Sequence, residues 1–474
     1  GSSPKKVDTT TPVEIILYHT GNEPPKQSEI YENFNKLAKA KLNTTLKTNW
    51  LPSADFRTRY PLLFSSGEVF DLAYAATWLN FAQLAKRGAF KPLEELFPAY
   101  APSIYKRESK TALQQATIDG HLYGIPSLVL TYAAYGFVHR TDLNLPGWDG
   151  KIETFADIER YLDIVKKNNP GIEPYNATSA GSEADDVFMY NHGLYAIKGG
   201  TNDFLFIDPK QPNPKLFTFW EFDKIKDFLA MMKRWSDAGY FPKAALADTY
   251  TTKFRDGKAA SFLHNVDNWE QEYRRKPEWN IRYSNFVTDM SNLSFTQDTC
   301  VVSSSSKNPE RALMLYDAIL SDQELYRAFY YGIEGKSYNI KVINGKEYIE
   351  QTPLVPETYS FTSMWAARTP EFYLPVVGAP PNLQEVKDGF QAMIKEGVGS
   401  QKYRSLVIDT SSIETEYANC INAHMQYWWP LELGYGDPVA GLAEYQKQMT
   451  AAGIEKVRAV LQAQLDDYVK NYKL

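Results

Sequence analysis

With 474 residues the chain is long enough for two or three domains at roughly 150 residues each. A hydrophobic content of 43% supplies large cores, and a net charge of −6 gives no basic footprint for a nucleic acid. No apolar run reaches the ~18 residues of a membrane span. The only cysteines, Cys300 and Cys420, exclude a disulfide scaffold and a thiolate metal cluster, and two buried free thiols are the expected state. Aromatics are the excess, at 32 Tyr, 25 Phe and 10 Trp. Much of that is core, but a flat aromatic face also matches the C–H face of a pyranose ring.

Gly1-Ser2-Ser3 reads as an expression scar and PKKVDTTTP as a polar tether. No signal peptide precedes them, and the tether fits a mature lipoprotein whose lipidated cysteine has been cut away. VEIILYHTG alternates and predicts a first strand from Val13 to Gly21. Ile30, Phe34 and Leu37 then predict a helix with Ser28 as its N-cap. Leu46 to Leu51 is the second strand, and Asp55 to Ser65 the second helix, with Phe56, Tyr60, Leu63 and Phe64 inward and Pro61 bending it. DLAYA is the third strand. This strand–helix repetition argues for a parallel sheet covered by helices on both faces.

DGHLYGIP, from Asp119 to Pro126, is a turn, a short strand and a Gly–Pro exit. It feeds SLVLTYAAYGFVH, a run too long for one simple strand and read as a crossing between compact units. A helix starts at Thr154, and a longer one spans FWEFDKIKDFLAMMKRWSDAG, ending at Gly239. Ala259 to His264 is a buried strand. LSFTQDTCVV is a strand and the second crossing. Two helices follow, capped by Asn308 and Ser321. Asn-Gly in KVINGKEYIE is a strong hairpin signal. The C-terminus is helical over Ile413–Tyr427, Val439–Ala452 and Ile454–Tyr472.

Catalytic constellations lack support. The histidines, His19, His121, His139, His192, His264 and His424, sit at no metal spacing. No nucleophile elbow, phosphate loop or dinucleotide fingerprint occurs. Asp185-Asp186 could tempt a glycosidase reading, but a solvated turn is expected there. No calcium loop is formed by NNPGIEP or GGTNDFLFID. The residues therefore predict no catalytic group, no metal and no cofactor.

In open α/β sheets a ligand sits outside the carboxyl ends of the strands. Tyr18 and His19 end the first strand, and Trp78 follows the third. Tyr132 lies on the crossing run with Tyr135. Asn265, Asp267, Asn268 and Trp269 follow the strand ending at His264. Trp365 and Arg368 combine a stacking face with a fork of donors. Aromatic planes for ring faces and polar groups for hydroxyls are what a sugar site needs, and these ten residues are the candidate ligand-binding set. Trp428-Trp429 predicts one packed and one surface residue.

Several phrases now agree. FSSGEVFDLAYA, GAFKPLEELF, DGHLYGIP, FRDGKAASF and SSSSKNPERALMLYDAIL resemble, in order, segments of the family-1 extracellular solute-binding proteins that feed ABC importers. The stretch from Val407 to Tyr468, with Asp409, Glu414, Gly434, Asp437-Pro438, Ala452-Gly453-Ile454 and Gln462 to Leu465, resembles the C-terminal module of the LipO-like lipoprotein branch. WAARTPEFYLP departs from that branch, which often has a Trp followed by Gly-Asn, so ligand specificity does not carry over. The resemblance implies an α/β, two-lobe, periplasmic-binding-protein-like (type II) fold with an interlobe cleft, hinge closure and a helical C-terminal extension. The expected division is 1–12 as tag and tether, 13–136 with about 299–350 as lobe 1, and 137–298 with about 351–474 as lobe 2 and C-terminal helices. The implied partners are a carbohydrate ligand and the permease subunits of the importer. The chain is expected to be a monomer on the extracellular face of the cytoplasmic membrane, in the Gram-positive manner, touching the membrane only through a removed lipid anchor. A short oligosaccharide is the expected cargo; chitin- or plant-wall-derived fragments fit that class, and no residue decides between them. The alternatives are a carrier of peptide or another organic solute, a glycoside-active enzyme and a surface lipoprotein without ligand.

Overall fold

The computed structural model describes residues 7–472 apart from 53–55, 134, 179–181, 198–202, 251 and 356–363. Asp55, Ser363 and the start of the tether therefore lie outside the described residues, as does the side chain of Phe56. The chain forms two compact units, one of residues 1–131 with 293–377, the other of 132–292 with 378–474. The crossings fall at 131/132, 292/293 and 377/378. Residues 351–377 thus belong with the first unit and not, as expected, with the second.

The first unit holds a five-stranded sheet in the order Thr44–Leu51, Val13–Thr20, Leu72–Ala75, Thr299–Val302, Gly124–Ile125. The first three strands are parallel, in the register His19 to Trp50 and Tyr18 to Ala73. Thr299–Val302 runs antiparallel to both its neighbours, so the parallel part ends after three strands. The alternation of VEIILYHT buries Ile15, Leu17 and His19. The helix Gln27–Leu42 covers the sheet with Ile30, Phe34 and Ala38 and ends on Asn43 in the left-handed region. Ser28 is not its cap: the helix begins one residue earlier, and Lys26 in the cap position makes no side-chain bond. Ser321 is likewise the last residue of the helix Pro309–Ser321, and its hydroxyl turns back to the Asp317 carbonyl. Asp322 caps the next helix, Gln323–Tyr330, by accepting from the Glu324 and Leu325 amides. Asn308 occupies the first helix's cap position without a side-chain bond.

DGHLYGIP makes a tight hairpin, with Asp119 and Gly120 at φ 50° and 86° and Ile118 paired to His121. Its exit, Gly124–Ile125, becomes the edge strand of the first sheet. The hairpin Tyr338–Ile343 and Lys346–Gln351 turns on Asn344 and Gly345 as the sequence predicts.

In the second unit the strands Ser261–Asn265, Tyr135–His139 and Arg282–Ser284 form an antiparallel sheet with Tyr135–His139 in the centre. Alternation along the central strand sends Phe137 into one core, with Ile158, Leu162 and Trp235, and Val138 into another, with Trp269 and Tyr283. Gly136 is required by a close approach: a Cβ there would lie 2.5 Å from the Ser284 carbonyl oxygen and from the Tyr283 ring. Thr154 and Asp157 form a capping box on the helix Phe155–Asn168. The expected long helix through Trp220 breaks at Phe222, and its regular part is Ile225–Ala238.

The C-terminal helices Glu414–Ala423, Pro438–Ala452 and Ile454–Asn471 complete this unit. Between the first two, His424–Trp428 is a π turn. Pro430 has no N–H for the helical ladder, and the widened turn absorbs the missing bond. Trp428 is buried and Trp429 half-buried, in keeping with the expectation of one packed residue. Cys300 and Cys420 are free, buried and in different units. Asp185-Asp186 is not a solvated turn. The pair opens the helix Ala184–Asn191, half-buried, and Asp185 accepts from the Trp428 indole N–H at 2.7 Å. Burial, with the neighbouring carboxylates, pushes Asp186 upward, and burial does the same to Glu432, which accepts from Ser182.

Candidate functional site: an aromatic shelf on the first unit

The carboxyl end of the first unit's parallel strands gathers an aromatic cluster. His19 and Trp50 stand side by side at the ends of paired strands and stack, with ring centroids 4.9 Å apart. His19 also stacks on Tyr74 at 5.7 Å and 9°. Tyr74 meets Trp78 at 6.1 Å and Trp365, edge-on, at 6.0 Å. His19 and Tyr74 are buried, while Trp50 and Trp78 are half-buried and Trp365 is 38% exposed. The buried pair forms the floor of a shelf whose open surfaces belong to the tryptophans.

Polar groups fix that shelf. The Tyr74 hydroxyl donates to Asp298 at 2.6 Å, and Tyr60 donates to the Tyr74 carbonyl at 2.7 Å. Arg368 reaches the second oxygen of Asp298 at 3.3 Å, and its Nε donates to the Trp365 carbonyl at 2.8 Å. Thr77, next to Trp78, bonds through its amide to the Thr296 carbonyl and through its hydroxyl to Gln297. Burial and the adjacent Asp298 carboxylate hold the Tyr74 phenol well above its ordinary range, so it stays a donor.

Of the ten predicted residues, His19, Trp78, Trp365 and Arg368 come together here. Tyr18 does not join them. It points to the other face of its strand, packs edge-on against Phe70 at 5.0 Å and donates to Glu68. Arg368 is buried and committed to protein oxygens, so its fork serves the shelf. Sequence reasoning missed Trp50, Tyr74 and Asp298. Trp50 obeyed the same strand-end rule that selected His19. Asp298 precedes an antiparallel strand, whose start lies at the carboxyl ends of its parallel neighbours.

The second unit holds the other predicted residues. Asn265 caps the helix Val266–Arg275 by accepting from the Asn268 amide. Asp267 faces Lys387 at 3.7 Å. Tyr132 packs against Phe390 at 5.1 Å, and its hydroxyl donates to the Lys387 carbonyl. Trp269 is a correction: it is fully buried, stacked on Tyr283 at 5.3 Å, with its indole N–H on the Ile281 carbonyl at 3.0 Å. The helix turns it into the core beside Val266, three residues earlier. At the same sheet end Tyr135 stacks on His264 at 5.1 Å, and burial lowers the His264 imidazole below its usual range. Among the described residues no group of His, Cys, Asp and Glu side chains is placed to hold a metal ion, and no helix is long and apolar enough to cross a membrane.

A family model described as bacterial extracellular solute-binding protein matches residues 30–339, well over half of the chain. The chain belongs to the bacterial extracellular solute-binding proteins. A second model, a domain of unknown function (DUF3502), matches residues 403–470, the stretch whose resemblance to a lipoprotein module the sequence shows. A carbohydrate ABC transporter substrate-binding protein of Streptococcus pneumoniae serotype 4 is 24% identical over all of this chain and 94% of its own length. The crystal structure of the N-glycan transport solute-binding protein NgtS from Streptococcus pneumoniae superposes with a TM-score of 0.78 at 21% identity, over 98% of this chain and 100% of that one. The S. pneumoniae ABC-transporter substrate-binding protein FusA, in complex with kestose, gives 0.68 at 16% identity over 97% and 100%. The likeness establishes a two-lobe solute-binding fold of mixed α/β content.

Proposed function

We propose that the protein is the carbohydrate-binding subunit of an ABC importer and that its cargo is an oligosaccharide of a few rings. The observation that carries this reading is the shelf of Trp50, Trp78 and Trp365 over the buried His19–Tyr74 floor. Several aromatic faces on one surface can stack on more than one sugar ring, and the half-buried Gln297, bonded to Thr77 next to Trp78, lies beside them as a hydroxyl partner. The relatives support the same class: one is named a carbohydrate carrier, and structures similar in fold hold Man5GlcNAc and kestose. The protein binds and delivers its sugar and leaves the glycosidic bond intact. A lipid anchor ahead of the polar N-terminal segment would keep it at the extracellular face, in reach of the permease.

Calorimetric titration with a panel of N-glycan, fructan, chitin and plant-wall oligosaccharides tests the reading. A binding sugar at 100 times its dissociation constant adds about 2.7 kcal/mol of stability, so a melting shift accompanies the heat. Trp365→Ala weakens that binding by about 1–3 kcal/mol, the scale of stacking on an exposed aromatic face. Heat from peptides and none from sugars would favour the other carrier reading. Chromatographic detection of a shortened sugar after incubation would overturn the carrier role altogether.

A further inference from the structure

Three chain segments far apart in sequence meet under the shelf: the strand that carries Tyr74, the loop that carries Asp298 and the turn Trp365–Ala367. Trp365 offers its ring outward, while its neighbours Met364, Ala366 and Ala367 are buried. Nothing in an aromatic ring fixes its own tilt, so the backbone beneath it must. That backbone is held by Arg368, whose Nε bonds the Trp365 carbonyl at 2.8 Å and whose other arm meets Asp298 at 3.3 Å. Asp298 accepts from the Tyr74 hydroxyl on its other oxygen, Oδ1, at 2.6 Å. Arg368 is 6% exposed and Asp298 7%.

We propose that the Arg368–Asp298 pair is a positioning latch that sets the angle between the Trp365 and Tyr74 rings before ligand arrives. This rests on the carbohydrate reading above and gives Arg368 a different task from the one its fork suggests, since it acts on the sugar only through Trp365. A planar guanidinium suits the task because it bonds a carbonyl and a carboxylate at a fixed angle, which a lysine ammonium on a flexible stem does not. Preorganised rings spare the ligand the ordering of side chains on binding.

The latch is tested first without ligand. In protein labelled with 5-fluorotryptophan, the fluorine resonance of Trp365, identified by its loss in Trp365→Phe, should shift and broaden in Arg368→Gln and Asp298→Asn. The resonance of Trp235, in the core of the other unit, should stay in place. Arg368→Lys, which keeps the charge, should also disturb Trp365 and covers the case in which Arg368→Gln does not fold. An unmoved Trp365 resonance in these variants overturns the proposal. Calorimetry with Man5GlcNAc and kestose supplies the second arm. Arg368→Gln should weaken binding about tenfold in the natural background, but by under about twofold where Trp365 is already alanine. An equal loss in both backgrounds means that Arg368 touches the sugar itself and overturns the latch. If no sugar of the panel above gives heat with the unaltered protein, the carbohydrate reading falls, and the fluorine spectrum alone decides whether the latch exists.

Discussion

Trp269 and Trp365 carry the same side chain to opposite ends. Trp269 is fully buried with its N–H satisfied, while Trp365 is held open on a turn. Trp269→Ala should cost about 3–5 kcal/mol of stability. Trp269→Phe should cost less and leave sugar affinity unchanged once the folded fraction is counted, whereas Trp365→Ala should lower affinity with stability moved by under about 0.5 kcal/mol. Urea denaturation beside calorimetry separates the two, and a loss of affinity in Trp269→Phe at an unchanged midpoint would return Trp269 to the binding set. The sequence held the discriminating signal. Val266 and Trp269 lie three apart at the start of a helix, which is a core stripe, and the polar neighbours that suggested a site are that helix's cap and first turn. Tyr74 gave no such signal: it sits inside the short run LAYA, and only the fold reveals that Asp298 waits for its hydroxyl.

Among the elements, those with local causes were legible and those with long-range causes were not. Alternation gave the first strand, Asn344-Gly345 the hairpin, and Thr154 with Asp157 the start of a helix. The caps at Ser28 and Ser321 failed because a neighbouring residue one position away opened the helix instead. One element is held by two distant side chains, Arg311 and Asn43, whose Nδ2 donates to the carbonyls of Thr9 and Thr10. The segment from Asp8 to Thr11 is strapped to the first unit by Arg311, which donates to the carbonyls of Asp8, Thr11, Leu42 and Asn43 and to the Thr44 hydroxyl, at 2.7 to 3.1 Å. Arg311 is 3% exposed, so its loss leaves several of these oxygens without a donor. Arg311→Ala should therefore destabilise the protein by about 3 kcal/mol and speed amide exchange in residues 8–11 and at the head of the Val13–Thr20 strand. Sugar affinity should stay as it was, because the shelf stands at the other end of that strand. Unchanged exchange at residues 8–11 would show that Asn43 holds the strap without Arg311.

At the scale of the whole molecule the two-unit division was legible; the first two crossings lie a few residues earlier than expected, and the third was far off for one recognisable reason. The third crossing was expected near residue 350, yet residues 375–377 return to the hairpin, where the Ile349 amide donates to the Pro375 carbonyl and the Val377 amide to that of Ile349. Pairing between segments about 26 residues apart leaves no periodic trace in sequence. The division also separates the titratable interior. His139 and His424 both belong to the second unit, both are 1% exposed, and burial lowers them to about 4 and about 3. An unfolded histidine titrates near pH 6.5. Between pH 6.5 and the folded values, the unfolded chain holds one more proton per histidine, so stability falls as pH falls, by about 1.4 kcal/mol per pH unit for each. Above pH 6.5 both states are neutral and the contribution is constant. Asp186 and Glu432, in the same unit, are shifted upward and act with the opposite sign, retaining protons when folded and losing stability as pH rises past the ordinary carboxylate range. A comparison of variants isolates the histidine. His424→Gln can keep the contact to the Tyr445 hydroxyl, now 2.8 Å from Nδ1, and carries no titrating group. Its stability, measured by urea denaturation from pH 7.5 to 5, should start below that of the natural chain and close on it by about 1.4 kcal/mol per pH unit below pH 6.5. Two parallel curves would mean that His424 titrates in the fold as it does in the unfolded chain, and the acid sensitivity of the second unit would then have to come from the other histidines that burial lowers, His139 and His264.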